Sequence, residues 1–193
     1  MPLRYRTSRM GEEKARIARA AAAMVRPGDT IGLNGGTTAT EVAREVALLP
    51  DLTDPETPVT IVTNAVNIAS ELTVRQCVRV VVTGGAARAR SYELTGPLSS
   101  LILPQISIGT LFLGVKSVNG HGLYASHEGE AAVNAALVRA AHRVVVVADR
   151  TKLGRTAFAL ICRTSEIDEL ITDEAAEPEQ VEALRAAGVE VRL

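Results

Sequence analysis

The segment Asn34-Gly35-Gly36-Thr37-Thr38 has the residue types of a phosphate-binding turn between a strand and a helix. Two glycines let the backbone turn tightly and approach a ligand closely, and the first turn of a helix has unpaired N–H groups at its positive end. Thr37 and Thr38 add hydroxyl donors. The segment has neither the GK[ST] of a Walker A loop nor the GxGxxG of a dinucleotide-binding turn, and threonine also caps helices. A phosphate site and a plain turn are therefore both consistent with these residues.

Polar or small residues follow three further predicted strands. They are Thr63-Asn64, Gly84-Gly85, and Asp149 with Lys152. Taken singly, Asn64 could cap a helix, the glycine pair could be a turn, and Asp149 with Lys152 could be a surface ion pair worth little. Ligands of open α/β sheets bind beyond the carboxyl ends of the strands, so we predict that these residues share one site with the first segment.

The elements that must position these residues alternate between strand and helix along the whole chain. This alternation predicts a three-layer α/β/α, Rossmann-like fold with a mainly parallel sheet. The predicted strands are 30–33, 59–63, 78–83, 106–115, 144–148, 158–162, 169–172 and 189–191. The predicted helices are 12–25, 37–48, 64–72, 97–103, 128–141 and 178–187.

The composition agrees with this fold and excludes several classes of function. Of the 193 residues 47% are apolar but only 3% aromatic, so Val, Ile, Leu and Ala must build the core, as in buried parallel strands. A formal net charge of −1 provides no overall field for nucleic acid or an anionic membrane.

Neither targeting nor redox chemistry is indicated. The first residues are polar and basic with no apolar signal region, and the longest apolar runs have the length of strands. Cys77 and Cys162 have no CxxC spacing, which favours two buried thiols in a reducing cytosol over a metal site or a disulfide. We expect a cytoplasmic protein with no cofactor and no metal.

The order and spacing of several short motifs resemble the C-terminal effector-sensing domain of DeoR-family transcriptional regulators. The resemblance covers the chain from about Arg4 to its C-terminus, and it rests on Glu13-Lys14, Ile17-Ala18, Gly28-Asp29-Thr30-Ile31, Gly36-Thr37-Thr38, Val62-Thr63-Asn64, Gly84-Gly85, Gly96-Pro97, Phe112-Leu113-Gly114-Val115, the run from Ala148 to Gly154, and Ile171-Thr172-Asp173. Any one motif is weak, but their order is specific.

The resemblance implies a fold related to ribose-5-phosphate isomerase A and glucosamine-6-phosphate deaminase, with a phosphorylated sugar or related metabolite as effector. Such regulators, here expected to be a repressor, bind DNA through an N-terminal winged helix-turn-helix that this sequence does not contain. Residues 1–10 are then a linker or arm, and residues 11–193 are the sensor domain of an excised or a stand-alone sensor. We expect a homodimer or homotetramer, because sensors that switch DNA affinity are usually symmetric oligomers.

The chain departs from the family pattern at two positions. Asn34 and Gly109 stand where the family often has Asp. Losing two carboxylates removes contacts to sugar hydroxyls or an amine, so the sequence predicts a different effector, with Asn34 as the distinguishing residue.

The sequence predicts a mechanism in which ligand binding is coupled to a change of arrangement of the regulator. The phosphate is held by Gly35 to Thr38, with Lys152 as the compensating positive charge, while Asn64, Gly85 and Glu128 contact the rest of the ligand. Ligand binding then favours one quaternary or hinge arrangement, and helix 12–25 transmits this bias to the DNA-binding part. The bias can be no larger than the difference in ligand affinity between the two arrangements.

The alternative is a sugar-phosphate isomerase or deaminase-like enzyme. Such an enzyme needs a carboxylate base and an electrophile, for which the candidates are Glu128, Glu130, Asp149, Lys152, His121 and His127. The acidic loop of the isomerase is missing, since residues 116–120 read Lys-Ser-Val-Asn-Gly. We therefore expect no catalysis.

Overall fold

The computed structural model describes residues 10–52 and 54–193. Within them the helices are α1 (Gly11–Ala22), α2 (Thr37–Val46), α3 (Val66–Leu72), α4 (Glu128–Ala140) and α5 (Pro178–Ala186). The strands are β1 (Thr30–Leu33), β2 (Val59–Thr63), β3 (Val78–Val82), β4 (Ala86–Ala87), β5 (Leu94–Thr95), β6 (Ile108–Leu113), β7 (Ser117–Val118), β8 (Gly122–Ala125), β9 (Ala141–Val147), β10 (Ala159–Arg163), β11 (Glu169–Ile171) and β12 (Glu190–Arg192). Apart from Met10, the predicted linker lies outside the described residues.

The main sheet is parallel, as predicted. Over the described residues it has seven strands in the order β12-β11-β9-β6-β1-β2-β3, and each neighbouring pair is parallel. One face packs against α1, α2 and α3 in a buried cluster that includes Ile17, Val42 and Ile68. The other face packs against α4 and α5 in a second cluster that includes Leu137 and Leu184. The three-layer α/β/α arrangement is therefore confirmed.

The pleat of β6 shows why apolar runs become central strands. Phe112 belongs to the cluster under α1 to α3, while its neighbours Leu111 and Leu113 belong to the cluster under α4 and α5. Successive side chains of a strand point to opposite faces, so a strand covered on both faces is apolar at most of its buried positions, without the alternation of a half-exposed strand. That requirement makes such strands visible in the sequence.

The predicted strand 158–162 has a different place from the one that alternation suggested. It is β10, which pairs antiparallel with β8 in a small sheet of order β10-β8-β7. The segment between β9 and β10 contains a 3-10 turn (Arg150–Lys152) but no α-helix. A parallel crossover needs about a dozen residues or more, usually a helix, so β10 cannot return to the main sheet beside β9.

One predicted helix is wrong in type, and the remaining elements differ from their predictions only in their bounds. Residues 97–103 form the 3-10 turn Pro97–Ser100, with a second 3-10 turn at Leu103–Gln105, because Pro104 lacks the N–H that a continuing α-helix needs. The helix predicted from Asn64 begins at Val66. The other helices and the main-sheet strands differ from their predicted bounds by three residues or fewer at either end.

The two cysteines differ in environment and should differ in reactivity. Cys162 is buried, and burial with a smaller contribution from Glu166 raises the pKa of its thiol to about 12. Cys77 is only half-buried, which corrects the prediction of two buried thiols. Because the thiolate is the nucleophile, iodoacetamide at pH 8 should alkylate Cys77 in the folded chain and Cys162 only after unfolding. Mass spectrometry of the alkylated peptides measures both, and equal native rates would contradict the assignment.

Candidate functional site

The four predicted strand ends lie on one edge of the main sheet. The last residues of β1, β2 and β3 are level, because Leu33 pairs with Thr63 and Thr63 pairs with Val82. β9 is parallel to them but is separated from β1 by β6. Neighbouring strands are about 4.8 Å apart, so the end of β9 lies roughly 10 Å from the end of β1. A ligand that contacts the ends of both β1 and β9 must therefore extend over two strand spacings.

Asn34 joins the ends of the two central strands. Its side chain is buried, its Nδ2 donates to the carbonyl oxygen of Gly114 at 2.8 Å, and its Oδ1 accepts from the Gly114 N–H at 2.7 Å. Gly114 follows β6 directly, so the amide fixes the start of the β1–α2 loop against β6. Asn34 therefore positions the loop with both ends of its amide, and a direct contact to a ligand stays a prediction.

The loop after Asn34 has the geometry that an anion site needs. Gly36 caps α2 at φ 116°, a backbone conformation that L side chains rarely adopt. Its carbonyl oxygen accepts from both the N–H and the hydroxyl of Thr40, at 3.0 Å and 2.8 Å. Thr37 and Thr38 form the first turn of α2, where backbone N–H groups have no partner within the helix. The segment is thus the strand-to-helix turn that its residues predicted.

The end of β2 holds two buried polar side chains. The hydroxyl of Thr63 accepts from the Ala65 N–H at 3.0 Å. Asn64 is fully buried, and its Nδ2 lies 3.2 Å from Glu93 Oε2 and 3.4 Å from the carbonyl oxygen of Leu94. Two acceptors beside Nδ2 fix the orientation of the amide, and within the described residues Asn64 Oδ1 has no hydrogen-bond partner. Asn64 is therefore part of a buried polar cluster rather than a helix cap.

Glu93 is the residue of this site that sequence reasoning missed. It is only 6% exposed, and its backbone pairs with Ala65 in an isolated antiparallel bridge. Its side chain lies directly on Gly35, because a Cβ placed there would be 2.7 Å from both Glu93 Cδ and Oε1. A carboxylate therefore lies between the loops that follow β1 and β2. Glu93 lies in a polar loop segment, outside the strand ends that guided the prediction, so no local signal singled it out.

The glycine pair after β3 has a structural cause of its own. Gly84 and Gly85 have φ values of 84° and 107°. The Ser99 hydroxyl donates to the Gly84 carbonyl oxygen at 2.8 Å, and a Cβ on Gly85 would lie 2.6 Å from the carbonyl oxygen of Thr95. The pair lets the loop pack closely against the following turn, and a role in ligand binding stays a prediction.

The charged residues predicted near β9 and α4 differ in burial and in their contacts. Asp149 is buried and accepts from both the N–H and the hydroxyl of Thr151, so it caps the turn Arg150–Lys152. Lys152, the last residue of that turn, is half-buried. Glu128 is the first residue of α4, and its exposed carboxylate lies 3.5 Å from His127 Nε2.

The other residues considered for catalysis have structural contacts or lie elsewhere. Glu130 bonds Arg88 at 3.1 Å, and His127 caps α4 by accepting from the Gly129 N–H at 3.0 Å. His121 is exposed beside β8. These contacts give Glu130 and His127 structural roles that need no substrate.

Gly109, the second departure from the family pattern, does not lie at the candidate site. Gly109 is the second residue of β6, and a Cβ there would lie 3.1 Å from the carbonyl oxygen of Thr30, the first residue of β1. It therefore lies at the amino edge of the sheet, opposite the strand ends that form the site. Of the two departures from the family pattern, only Asn34 lies at the candidate site.

The described part of the chain has neither a cluster of metal ligands nor a helix that could span a membrane. In residues 10–52 and 54–193, no group of three or more His, Cys, Asp or Glu side chains could hold a metal ion. None of the helices in that part of the chain combines the length and the apolar character needed to cross a bilayer.

The fold belongs to the ribose-5-phosphate isomerase type. The ribose 5-phosphate isomerase A of Methanocaldococcus jannaschii superposes with a TM-score of 0.51 at 19% identity, covering 74% of this chain and 54% of that protein. The eIF2B beta subunit of Chaetomium thermophilum gives a TM-score of 0.56 at 12% identity over 83% of this chain and 48% of the subunit. Both likenesses concern the fold alone.

The sequence defines the family more closely. The model of the DeoR C terminal sensor domain matches residues 9–174, so the chain belongs to this family. A putative aga operon transcriptional repressor of Escherichia coli O157:H7 is 34% identical over 93% of this chain, and the HTH-type transcriptional repressor GlcR of Bacillus subtilis is 29% identical over 96%. The chain spans 65% and 69% of the lengths of these two regulators. The resemblance to DeoR-type sensors is thereby confirmed.

The contact between Glu93 and Gly35 can be tested by stability. Gly35→Ala places a methyl group where the Glu93 side chain lies, and such overpacking costs about 1–3 kcal/mol of unfolding free energy. Gly11→Ala is the matched control, since its Cβ meets nothing within 4 Å and a helix favours alanine by less than about 1 kcal/mol. Urea unfolding measures both variants. A Gly35→Ala protein as stable as the control would contradict the contact.

Proposed function

We propose that this sensor domain binds a phosphorylated sugar, or a related phosphorylated metabolite, at the carboxyl edge of the main sheet and thereby modulates DNA binding by another domain of a DeoR-type regulator. The observation that carries the proposal is the loop from Asn34 to Thr38, which is clamped to β6 and opens α2 with a glycine at positive φ. We expect the regulator to be a repressor that acts as a homodimer or homotetramer.

Helix geometry supports the phosphate end of the proposal. The N–H groups of the first turn of α2 and the hydroxyls of Thr37 and Thr38 are donors, and the helix dipole favours an anion there. Lys152, about two strands away, provides a positive charge for the same ligand. The remaining predicted contacts, Asn64, Gly85 and Glu128, lie on the loops around these two positions.

One ion-pair cluster supports the coupling step. Arg150, in the same turn as Lys152, donates to Asp173 Oδ1 at 2.7 Å and lies 3.3 Å from Glu13 Oε1 on α1. Its backbone N–H also donates to Asp173 Oδ2 at 2.7 Å. A ligand that shifts the turn would therefore act on α1, which follows the N-terminal segment of the chain. Such coupling is limited by the difference in ligand affinity between the two states.

Removing the two hydroxyls should weaken phosphate binding. In Thr37→Val plus Thr38→Val each lost hydrogen bond to a charged group costs about 1.5–3 kcal/mol, so the Kd for a bound phosphosugar should rise about a hundredfold or more. Thermal-shift titration with ribose 5-phosphate, glucose 6-phosphate and glucosamine 6-phosphate, each beside its unphosphorylated sugar, measures the loss, since bound ligand stabilises the folded state.

The matched control is Thr60→Val. Thr60 lies near the start of β2, at the amino edge of the sheet, so the same chemical change there should leave the titrations unaltered. Equal stabilisation by phosphorylated and unphosphorylated sugars would contradict the phosphate site. Turnover of any of the three phosphosugars would favour the isomerase or deaminase alternative.

Removing the Arg150 side chain should separate binding from coupling. In Arg150→Met, Asp173 and Glu13 lose the guanidinium that joins the turn to α1, whereas the loop from Gly35 to Thr38 is unchanged. Hydrogen exchange of the α1 amides should therefore respond less to a phosphosugar than in the unaltered chain, with little change in Kd. Arg44→Met, which removes an ion pair between α2 and α3, is the control. An unchanged response of α1 would contradict this route.

A further inference from the structure

Asn64 has an amide oxygen that is buried without a hydrogen-bond partner at the end of β2. The residue is fully buried, and its Nδ2 lies 3.2 Å from Glu93 Oε2 and 3.4 Å from the carbonyl oxygen of Leu94. Turning the amide over would place Oδ1 against these two acceptors, so the orientation of the amide is fixed. Within residues 10–52 and 54–193, Oδ1 has no partner. A buried acceptor without a donor costs stability, so this atom favours a ligand that brings an N–H or O–H group.

The position of Asn64 relates it to the loop between β1 and α2. β1 and β2 are neighbouring strands whose last residues, Leu33 and Thr63, pair with each other. Asn64 and the loop follow these residues directly, so they start about 4.8 Å apart. Glu93, which accepts from Asn64 Nδ2, also lies on Gly35 of the same loop. A ligand whose phosphate lies at the start of α2 therefore has its carbon skeleton close to Asn64.

We propose that Asn64 determines effector specificity, because its Oδ1 accepts a hydrogen bond from a hydroxyl or amino group on the carbon skeleton of the phosphorylated effector. This inference rests on the proposed phosphate site, and it narrows the effector to compounds with a donor a few bonds from the phosphate. A phosphorylated compound without that donor leaves Oδ1 buried and unpaired, so it binds more weakly.

Asn64 also has structural contacts, and a ratio of two affinities separates them from binding. Removing the side chain takes the Nδ2 donor away from Glu93 and Leu94, which affects all ligands of the site alike. A hydrogen bond to Oδ1 instead affects only those ligands that have the donor. The Kd ratio between an analogue that lacks one donor and its parent compound therefore measures the contribution of Oδ1.

The test measures Kd values by calorimetry for ribose 5-phosphate, glucose 6-phosphate and glucosamine 6-phosphate, and for analogues of the tightest binder in which hydrogen replaces one hydroxyl or amino group. In the unaltered chain, the analogue that lacks the donor for Oδ1 should bind about tenfold or more weakly than its parent. In Asn64→Ala this Kd ratio should fall to about threefold or less, because the acceptor is gone. The group whose removal causes the loss identifies the donor as a hydroxyl or an amine.

Two further variants separate the acceptor from the fold. Asn64→Ser removes Oδ1 but keeps a hydroxyl donor at the end of β2, and should lower the Kd ratio as Asn64→Ala does. Asn134→Ala is the matched control, since Asn134 on α4 is 3% exposed and its Oδ1 also has no partner among the described residues. Because α4 covers the opposite face of the sheet from α2, this change should leave the ratio unaltered. Thermal unfolding without ligand shows that each variant is folded.

The outcomes distinguish this inference from the function on which it rests. If Thr37→Val plus Thr38→Val weakens phosphosugar binding, but every analogue has the same Kd ratio in Asn64→Ala as in the unaltered chain, the phosphate site stands and the role of Asn64 is overturned. A fall of the ratio in Asn134→Ala as large as in Asn64→Ala also overturns that role. If none of the phosphorylated compounds binds to the unaltered chain, both proposals are overturned.

Discussion

The two hydrogen bonds between the Asn34 amide and the backbone of Gly114 hold the ends of β1 and β6 together, and the candidate site is arranged around them. A side-chain amide can donate and accept at once, so one residue satisfies both the N–H and the carbonyl oxygen of Gly114. An ionised aspartate could accept from the N–H but would leave the carbonyl oxygen without this donor. Compared with an aspartate, Asn34 therefore has no charge but makes a second hydrogen bond between the strands. The two bonds fix the position of the first residue of the loop that leads into α2.

The neighbouring contacts follow from that fixed point. With Asn34 held, Gly35 lies beneath Glu93, and only a residue without a Cβ allows the carboxylate to lie there. Glu93 in turn bonds Asn64 at the end of β2, so the loops after β1 and β2 are joined through a side chain from the β4–β5 segment. The polar groups of the site are thus positioned mainly by each other and by the backbone, which suits a site that must be formed before its ligand arrives.

The sequence predicts the part of this arrangement that depends on local pattern. β2 has its predicted bounds, Val59–Thr63, because a strand covered on both faces is an apolar run and its end is marked by polar residues. The alignment of the strand ends then follows from parallel pairing. Glu93 could not be predicted this way, since its contact with Gly35 joins segments distant in sequence, and the position of Gly109 at the opposite edge became clear only from the register of β6. Asn64 resembles a helix cap in sequence because caps and buried polar clusters use the same side chains.

The two ends of the candidate site differ in their charged and hydrogen-bonding groups. Asp149 is held by the N–H and hydroxyl of Thr151, and Asp173 by Arg150, so these carboxylates stabilise the turn after β9. That turn then joins Lys152 to α1 through Arg150 and Glu13. At the other end of the candidate site, the first turn of α2 has backbone N–H donors, and the buried Asn64 Oδ1 is an acceptor without a partner among the described residues. A molecule with both an anionic and a donor group would satisfy the N–H donors of α2 and Asn64 Oδ1 together, whereas a simple anion would satisfy only the donors.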